Sequence, residues 1–247
     1  MDRIIELKEV SFSAQNQEII RSISFQFREG TATALAGPSG GGKSTMLKLA
    51  AGLLVPTGGK VFFRGRDIAL MNRRQNMEFR RQSAVVFQDS ALWANQDLYQ
   101  NLELPLRIHF PQMTRPDREK RMHEVLAEAG YKKNLLIRPA QLSMGEQKII
   151  AFARAMLCRP GILFLDEWTE SLDDESARRL IDLVKYRKEQ RDTVIFVSHD
   201  FRIIRNLADY IVIILGGRIA LTLTGEEIAS DAHLVRRIEK GIAAYEI

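Results

Sequence analysis

A chain of 247 residues can bury a substantial core with no disulfide or metal staple, and its 45% apolar and 27% charged content are ordinary globular values. The single cysteine, Cys158, excludes an intramolecular disulfide and reads as a small buried hydrophobe rather than a reactive thiol. The formal charge of +5 comes from basic residues in runs of no more than two, the pattern of a solvated surface rather than of a nucleic-acid patch.

No apolar run before a small-residue cleavage site opens the sequence; residues 1–6 already read as the start of a strand. Short β-branched and apolar runs predict strands at 4–10, 22–27 and 32–36. After the third run comes Gly37-Pro38-Ser39-Gly40-Gly41-Gly42-Lys43-Ser44-Thr45, which matches G-x-x-x-x-G-K-[ST] and opens a helical run over 43–51. Glycines let successive backbone N–H groups converge on an anion at a helix N-terminus. Lys43 then reaches outer phosphates and the Ser44 hydroxyl suits Mg²⁺. A glycine-rich connector between strand and helix would need neither the lysine nor the hydroxyl.

Further strands are predicted at 60–63 and 84–88. The rhythm breaks between about 89 and 160, where Pro105, Pro111, Pro116 and Pro139 and helical patterns at 116–130 and 144–157 predict a helical insertion. The α/β pattern resumes with 162–166, an apolar run ending in Asp166 and Glu167, where central strands of α/β sheets present their ligands. Asp166 suits the metal and Glu167 the activation of a water. Strands at 193–198, 210–215 and 218–222 follow. The first few strands are expected to be antiparallel and the later ones parallel. The most apolar stretch, 211–223, is broken by Gly216, Gly217 and Arg218 and is far short of the ~20 residues of a membrane helix, so the chain is not expected to cross a bilayer.

Four further segments fall in an order that resembles the ABC ATPase family across nearly the whole chain. Val85-Val86-Phe87-Gln88 is similar to the Q-loop, Leu142-Ser143-Met144-Gly145-Glu146-Gln147 to the signature, Glu170-Ser171-Leu172-Asp173 to the D-loop, and Val197-Ser198-His199-Asp200 to the switch histidine region. The resemblance implies an α/β P-loop NTPase core of RecA-like type with an antiparallel β subdomain and an inserted helical subdomain. It divides the chain into core (1–88 and 161–247) and helical insertion (89–160). It also implies ATP and Mg²⁺ as cofactors. Glu167, His199 and Gln88 would be catalytic, and Ser44, Gln88 and Asp166 would face the metal. Residues 37–45 of one copy would grip a nucleotide that Ser143, Gly145 and Asp173 of a second copy cover. The implied partners are a second ATPase subunit and transmembrane permease subunits at the cytoplasmic face of the inner membrane, with no nucleic acid.

Several positions depart from the family pattern. Met144 and Glu146 replace a glycine and a glutamine of the signature, and Ser143-x-x-Glu146 is at the same time a capping box for the following helix. Met144 is tolerable only where φ is negative. Ala14 stands where an adenine-stacking aromatic is usual; Phe12, two residues earlier, reads as core. Trp168, in place of a proline, reads as packing, and Trp93 as either packing or an anchor for a partner helix. His109, His123 and His233 have no ligand-spaced neighbours and read as surface or satisfied residues. The segment from Phe87 to Trp93, followed by Leu104-Pro105-Leu106, resembles ATPases serving lipid-trafficking permeases of the Mla/Mce type. The competing readings are a soluble ABC ATPase acting on nucleic acid and a non-hydrolysing scaffold. The first lacks the long or zinc-bearing insertions usual there, and Glu167 and His199 argue against the second.

Overall fold

The computed structural model describes residues 2–230; Met1 and His233 lie outside the described residues, as does the C-terminal part of the core expected over 161–247. Two sheets organise it. β1 (Arg3–Ala14), β2 (Gln17–Arg28), β4 (Gly58–Phe63) and β5 (Arg66–Asp67) form an antiparallel sheet in the order β2-β1-β4-β5. β3 (Ala32–Ala36), β6 (Ser83–Val86), β7 (Ile162–Asp166), β8 (Thr193–Val197), β9 (Tyr210–Leu215) and β10 (Arg218–Thr224) form the second, in the order β10-β9-β3-β8-β7-β6. Strands β9, β3, β8, β7 and β6 are parallel, and β10 is an antiparallel edge.

Period-two alternation divides the interior. Leu163, Leu165, Val194, Phe196, Ile211 and Ile213 point into one cluster, while Ile162, Phe164, Ile195, Val197, Val212 and Ile214 point into the other. Helix α1 (Lys43–Ala50) lies in the second cluster with Met46, Leu47 and Leu49, packed between the two sheets. The first cluster receives the helices between β6 and β7: α3 (Leu98–His109), α4 (Arg115–Ala129) and α5 (Met144–Met156). α2 (Arg73–Gln82) precedes β6, and α6 (Asp174–Glu189), α7 (Phe201–Leu207) and α8 (Gly225–Ser230) complete the described chain.

Several expectations are corrected. β3, which a helix follows, belongs to the parallel sheet, whereas β10 is antiparallel although late in the chain. Tight hairpins shape both sheets: Gln15 and Asn16 (φ +49° and +61°) and Gly216 and Gly217 (φ +52° and +76°) turn the chain within two residues. The second of these turns folds β10 back along β9, and the first lets β1 and β2 run to 12 residues each, well past the predicted 4–10 and 22–27. Helix α3 goes beyond the predicted helical patterns, because Pro105 interrupts it. Its Asp97–Gln100 capping box and a buried stripe of Leu98, Leu102 and Leu106 outweigh the one hydrogen bond that proline removes. α2 is polar, buries only Phe79, and starts on an Asn72–Gln75 capping box. Among the described residues no helix is long and apolar enough to cross a membrane.

Candidate functional site

Adjacent parallel strands β3, β8, β7 and β6 end side by side, and the chain leaving each carries one predicted segment. Residues 37–45 follow β3, Ser198 and His199 follow β8, Glu167 follows Asp166 at the end of β7, and Gln88 lies two residues past β6. Asp166 pairs in register with Val197. This carboxyl edge is where open α/β sheets collect their ligands.

Backbone sterics shape the loop. Gly37 has φ +146°, and a Cβ there would lie 2.2 Å from the Ile214 carbonyl oxygen, so only glycine passes β9 so closely. α1 starts on Gly42 with no side-chain cap, whereas α2 to α7 each start on a side chain that accepts from an early backbone N–H. Its first-turn amides therefore fit an anion supplied from outside the chain. Lys43 is 6% exposed and its Nζ donates to the carbonyls of Gly37 (2.8 Å) and Pro38 (2.9 Å). Ser44 Oγ donates to Asp166 Oδ1 at 2.8 Å. A hydroxyl and a carboxylate oxygen at that spacing are hard donors that fit Mg²⁺ completing its shell with phosphate and water.

Burial raises the Asp166 carboxyl, partly offset by the Ser44 bond and by Lys48, Lys148 and Lys43. Glu167 is pushed further, from the ordinary 4.5 to about 7, by burial first and by the Asp166 charge second. Its backbone is left-handed (φ +45°), its N–H donates to the Val197 carbonyl at 3.2 Å, and His199 Nε2 stands 3.3 Å from its Oε1. Gln88 Nε2 donates to Glu170 Oε2 at 3.1 Å. A cavity of about 670 Å³ opens here, lined by Ser44, Gln88, Asp166, Glu170, Lys148 and Met144 among others.

Ser143, Gly145 and Asp173 do not line this cavity, although their neighbours Met144 and Ser171 do, and Ser143 and Asp173 are engaged locally. Ser143 caps α5, accepting from Glu146 N (3.2 Å) while its Oγ donates to Glu146 Oε2 (3.1 Å), and Lys133 pairs with the same carboxylate. The Lys133 ammonium, then the Ser143 N–H, hold Glu146 below its ordinary value. Glu146 is thus held in a reciprocal cap with Ser143 and paired with Lys133. Met144 is in the first helical turn, 72% exposed and without positive φ. Asp173 caps α6, accepting from Ser176 N at 2.9 Å. A Cβ on Gly145 would meet the Ser171 carbonyl oxygen at 2.7 Å. Gly145→Ala is accordingly expected to push the 170–173 loop away and lower stability by about 1–3 kcal/mol, read as a drop in Tm; an unchanged Tm would contradict the close approach.

The remaining singled-out residues resolve simply. Trp168 is fully buried and meets Phe196 edge-on at 5.4 Å, as packing. Phe12 is half-buried against the second core cluster, and Ala14 is exposed. The cavity beside the loop is lined by Gln17, Ile19 and Arg21 rather than by an aromatic. Cys158 is half-buried, its thiol raised to about 11 by burial. His123 bonds the Glu119 carbonyl, and burial lowers His109. Sequence reasoning missed Lys148 and Arg154 of α5, whose side chains reach the backbone of 87–91. The available signal was a lysine four residues before Phe152, on a buried helix face.

With this geometry in place, comparison with known proteins gives one consistent result. The ABC transporter family profile matches residues 20–170. The methionine import ATP-binding protein MetN 2 of Pseudomonas entomophila is 33% identical over 79% of this chain. The intermembrane phospholipid transport system ATP-binding protein MlaF of Haemophilus influenzae is 31% identical over 94% of the chain and 88% of its own length. The dimeric post-hydrolysis structure of the ATP-binding cassette MJ0796, bound to ADP and Pi, superposes with a TM-score of 0.83 at 28% identity, over 90% of this chain and 99% of that one. The chain belongs to the ABC transporter family. It spans 58% of the Pseudomonas methionine import protein and 60% of a MetN from Rhizobium johnstonii.

Proposed function

We propose that this chain is the ATP-hydrolysing subunit of an ABC transporter. In this reading it works as a dimer of two copies, peripheral to transmembrane permease subunits at the cytoplasmic face of the inner membrane. The observation that carries the reading is the 2.8 Å bond between Ser44, in the first turn after the glycine loop, and Asp166, at the end of β7. It joins the phosphate-binding loop to the carboxylates on the neighbouring strand ends.

In this reading the amides of Gly37 to Thr45 and the Lys43 ammonium take the phosphates of ATP. Lys43 exchanges two neutral carbonyl acceptors for charged oxygens, a stronger class of bond. Ser44, Asp166 and Gln88 hold Mg²⁺, which neutralises phosphate charge when bound. Glu167, desolvated and near neutrality, takes a proton from the attacking water, and His199 beside it faces the γ-phosphate. Ser143, Gly145 and Asp173 serve the nucleotide of the second copy, where the N-terminus of α5 offers backbone donors. Residues 1–88 and 161–247 act as the core and 89–160 as the helical arm. A groove of about 270 Å³ between them is lined by Trp93, Leu104, Pro105 and Ile108, with Trp93 49% exposed. It suits a short helix of the permease.

Phospholipid is the cargo this reading favours, because the Haemophilus relative with that printed role aligns along most of its length. The methionine import proteins align over a smaller share of theirs. Pull-down from detergent-solubilised membranes tests the assembly. A multispanning protein should co-purify, whereas quantitative recovery from the soluble fraction on DNA would favour the nucleic-acid reading. Reconstitution of the recovered complex should then move labelled phospholipid between vesicles; methionine uptake instead would replace the cargo assignment.

The unusual signature carries its own expectation. Glu146 places a carboxylate on the helix end that this reading offers to a phosphate. Glu146→Gln removes that repulsion and should lower the ATP concentration needed for dimerisation about two- to fivefold. Light scattering across an ATP titration reads the shift, and a shift in the opposite direction would count against Glu146 facing the nucleotide.

A further inference from the structure

Residues 87–91 leave β6 as irregular backbone, and Ser90 (φ +62°) and Ala91 (φ +45°) are both left-handed without being glycine. Backbone of that kind persists only where its surroundings hold it. The holders both come from α5. Arg154 donates to the carbonyls of Ala91 (2.8 Å) and Ser90 (3.1 Å). Lys148, 3% exposed, donates to the carbonyls of Phe87 (3.3 Å) and Gln88. On its other side the Gln88 amide is tied to Glu170. A buried ammonium is costly unless well partnered. Here two carbonyls receive it, and the carboxylates of Glu170, Asp166, Asp89 and Glu167 favour its charge against the desolvation that lowers its pKa.

We propose that Lys148 is the positioning residue for Gln88: it fixes the backbone on which Gln88 rides, so that Gln88 moves with the helix whose first turn carries Gly145 and whose cap is Ser143. Arg154 pins the segment two residues further on, which makes Ser90 the point about which 87–89 would swing once Lys148 lets go. The inference rests on the reading above in which Gln88 serves the metal and water.

Lys148→Met keeps the volume and removes the donor, while Lys148→Arg keeps a charged donor. In nucleotide-free, metal-free protein, hydrogen exchange of the amides around 87–89 should accelerate about 10- to 100-fold in Lys148→Met, with β7 and β8 unchanged and Lys148→Arg close to the parent. In steady-state hydrolysis Lys148→Met should lose about tenfold or more in kcat with KM for ATP retained, and Lys148→Arg should recover most of it. Parental exchange at 87–89 or parental kcat in Lys148→Met overturns the proposal. If the methionine variant does not fold, Lys148→Leu, which likewise has no donor, carries the same comparison. Gln88→Ala separates the two levels. Impaired hydrolysis there with normal Lys148→Met refutes only the role of Lys148, whereas parental hydrolysis in Gln88→Ala refutes the reading of Gln88 and this inference with it.

Discussion

Glu167→Gln is expected to lower kcat by about 10²- to 10⁴-fold while ATP still binds, because an amide keeps the shape of the site but cannot accept the proton of the attacking water. Nucleotide should then accumulate unhydrolysed and hold two copies together, visible as an ATP-dependent doubling of mass in light scattering. Hydrolysis at the parental rate would remove Glu167 from the mechanism. A stability effect accompanies the catalytic one in protein free of nucleotide and metal. The folded-state pKa of Glu167 is about 7 against an ordinary 4.5, so between these values the folded protein binds more protons than the unfolded chain. Stability owed to this group is intact below about pH 4.5 and falls as pH rises through 7. The side chain is 12% exposed, and a displacement of this size is on the order of 3 kcal/mol. Glu167→Gln should therefore raise Tm by roughly 5–10 °C at pH 8 and by little at pH 5. Equal shifts at both pH values would show that the carboxylate is not desolvated.

Lys43→Ala is expected to weaken ATP binding by at least about tenfold, since a charge-assisted bond to phosphate contributes roughly 1.5–3 kcal/mol. The same substitution leaves the Gly37 and Pro38 carbonyls without the donor they now share. A loss of about 1–3 kcal/mol in stability should accompany it. Calorimetric titration at a temperature where the variant is folded separates the two effects. An unchanged titration would mean that the phosphates lie elsewhere.

How much of this is legible in the sequence depends on the range of the interactions involved. The glycine loop is written in nine consecutive residues, and the acid pair closes a short apolar run, so local pattern alone places both at strand ends. The meeting of 37–45, Gln88, Asp166, Glu167 and His199 along one edge follows once β3, β8, β7 and β6 are parallel neighbours. The order of those strands is a tertiary fact that periodicity does not contain. Pro105 hides α3, since a rule about one lost hydrogen bond is outweighed by the buried Leu98, Leu102 and Leu106. Polar composition hides α2, which anchors to the core through the single buried side chain of Phe79 and starts on a capping box. The hairpin at Gln15 and Asn16 lacks the glycine that usually announces such a turn. Lys148 stands out only as a lysine on a buried helix face, and its role is hidden for a different reason: its partners Phe87 and Gln88 lie 61 and 60 residues away. Nothing in a helix's own sequence says which loop its cation will meet.

A crystal structure of the Glu167→Gln variant with Mg·ATP bears most directly on the arrangement proposed. The triphosphate should lie in the loop of residues 37–45 against Lys43, with the metal about 2.1 Å from Ser44 Oγ and Asp166 turned toward it. A nucleotide bound away from that loop, or Asp166 and the substituted amide beside it directed out of the site with the metal elsewhere, would contradict it.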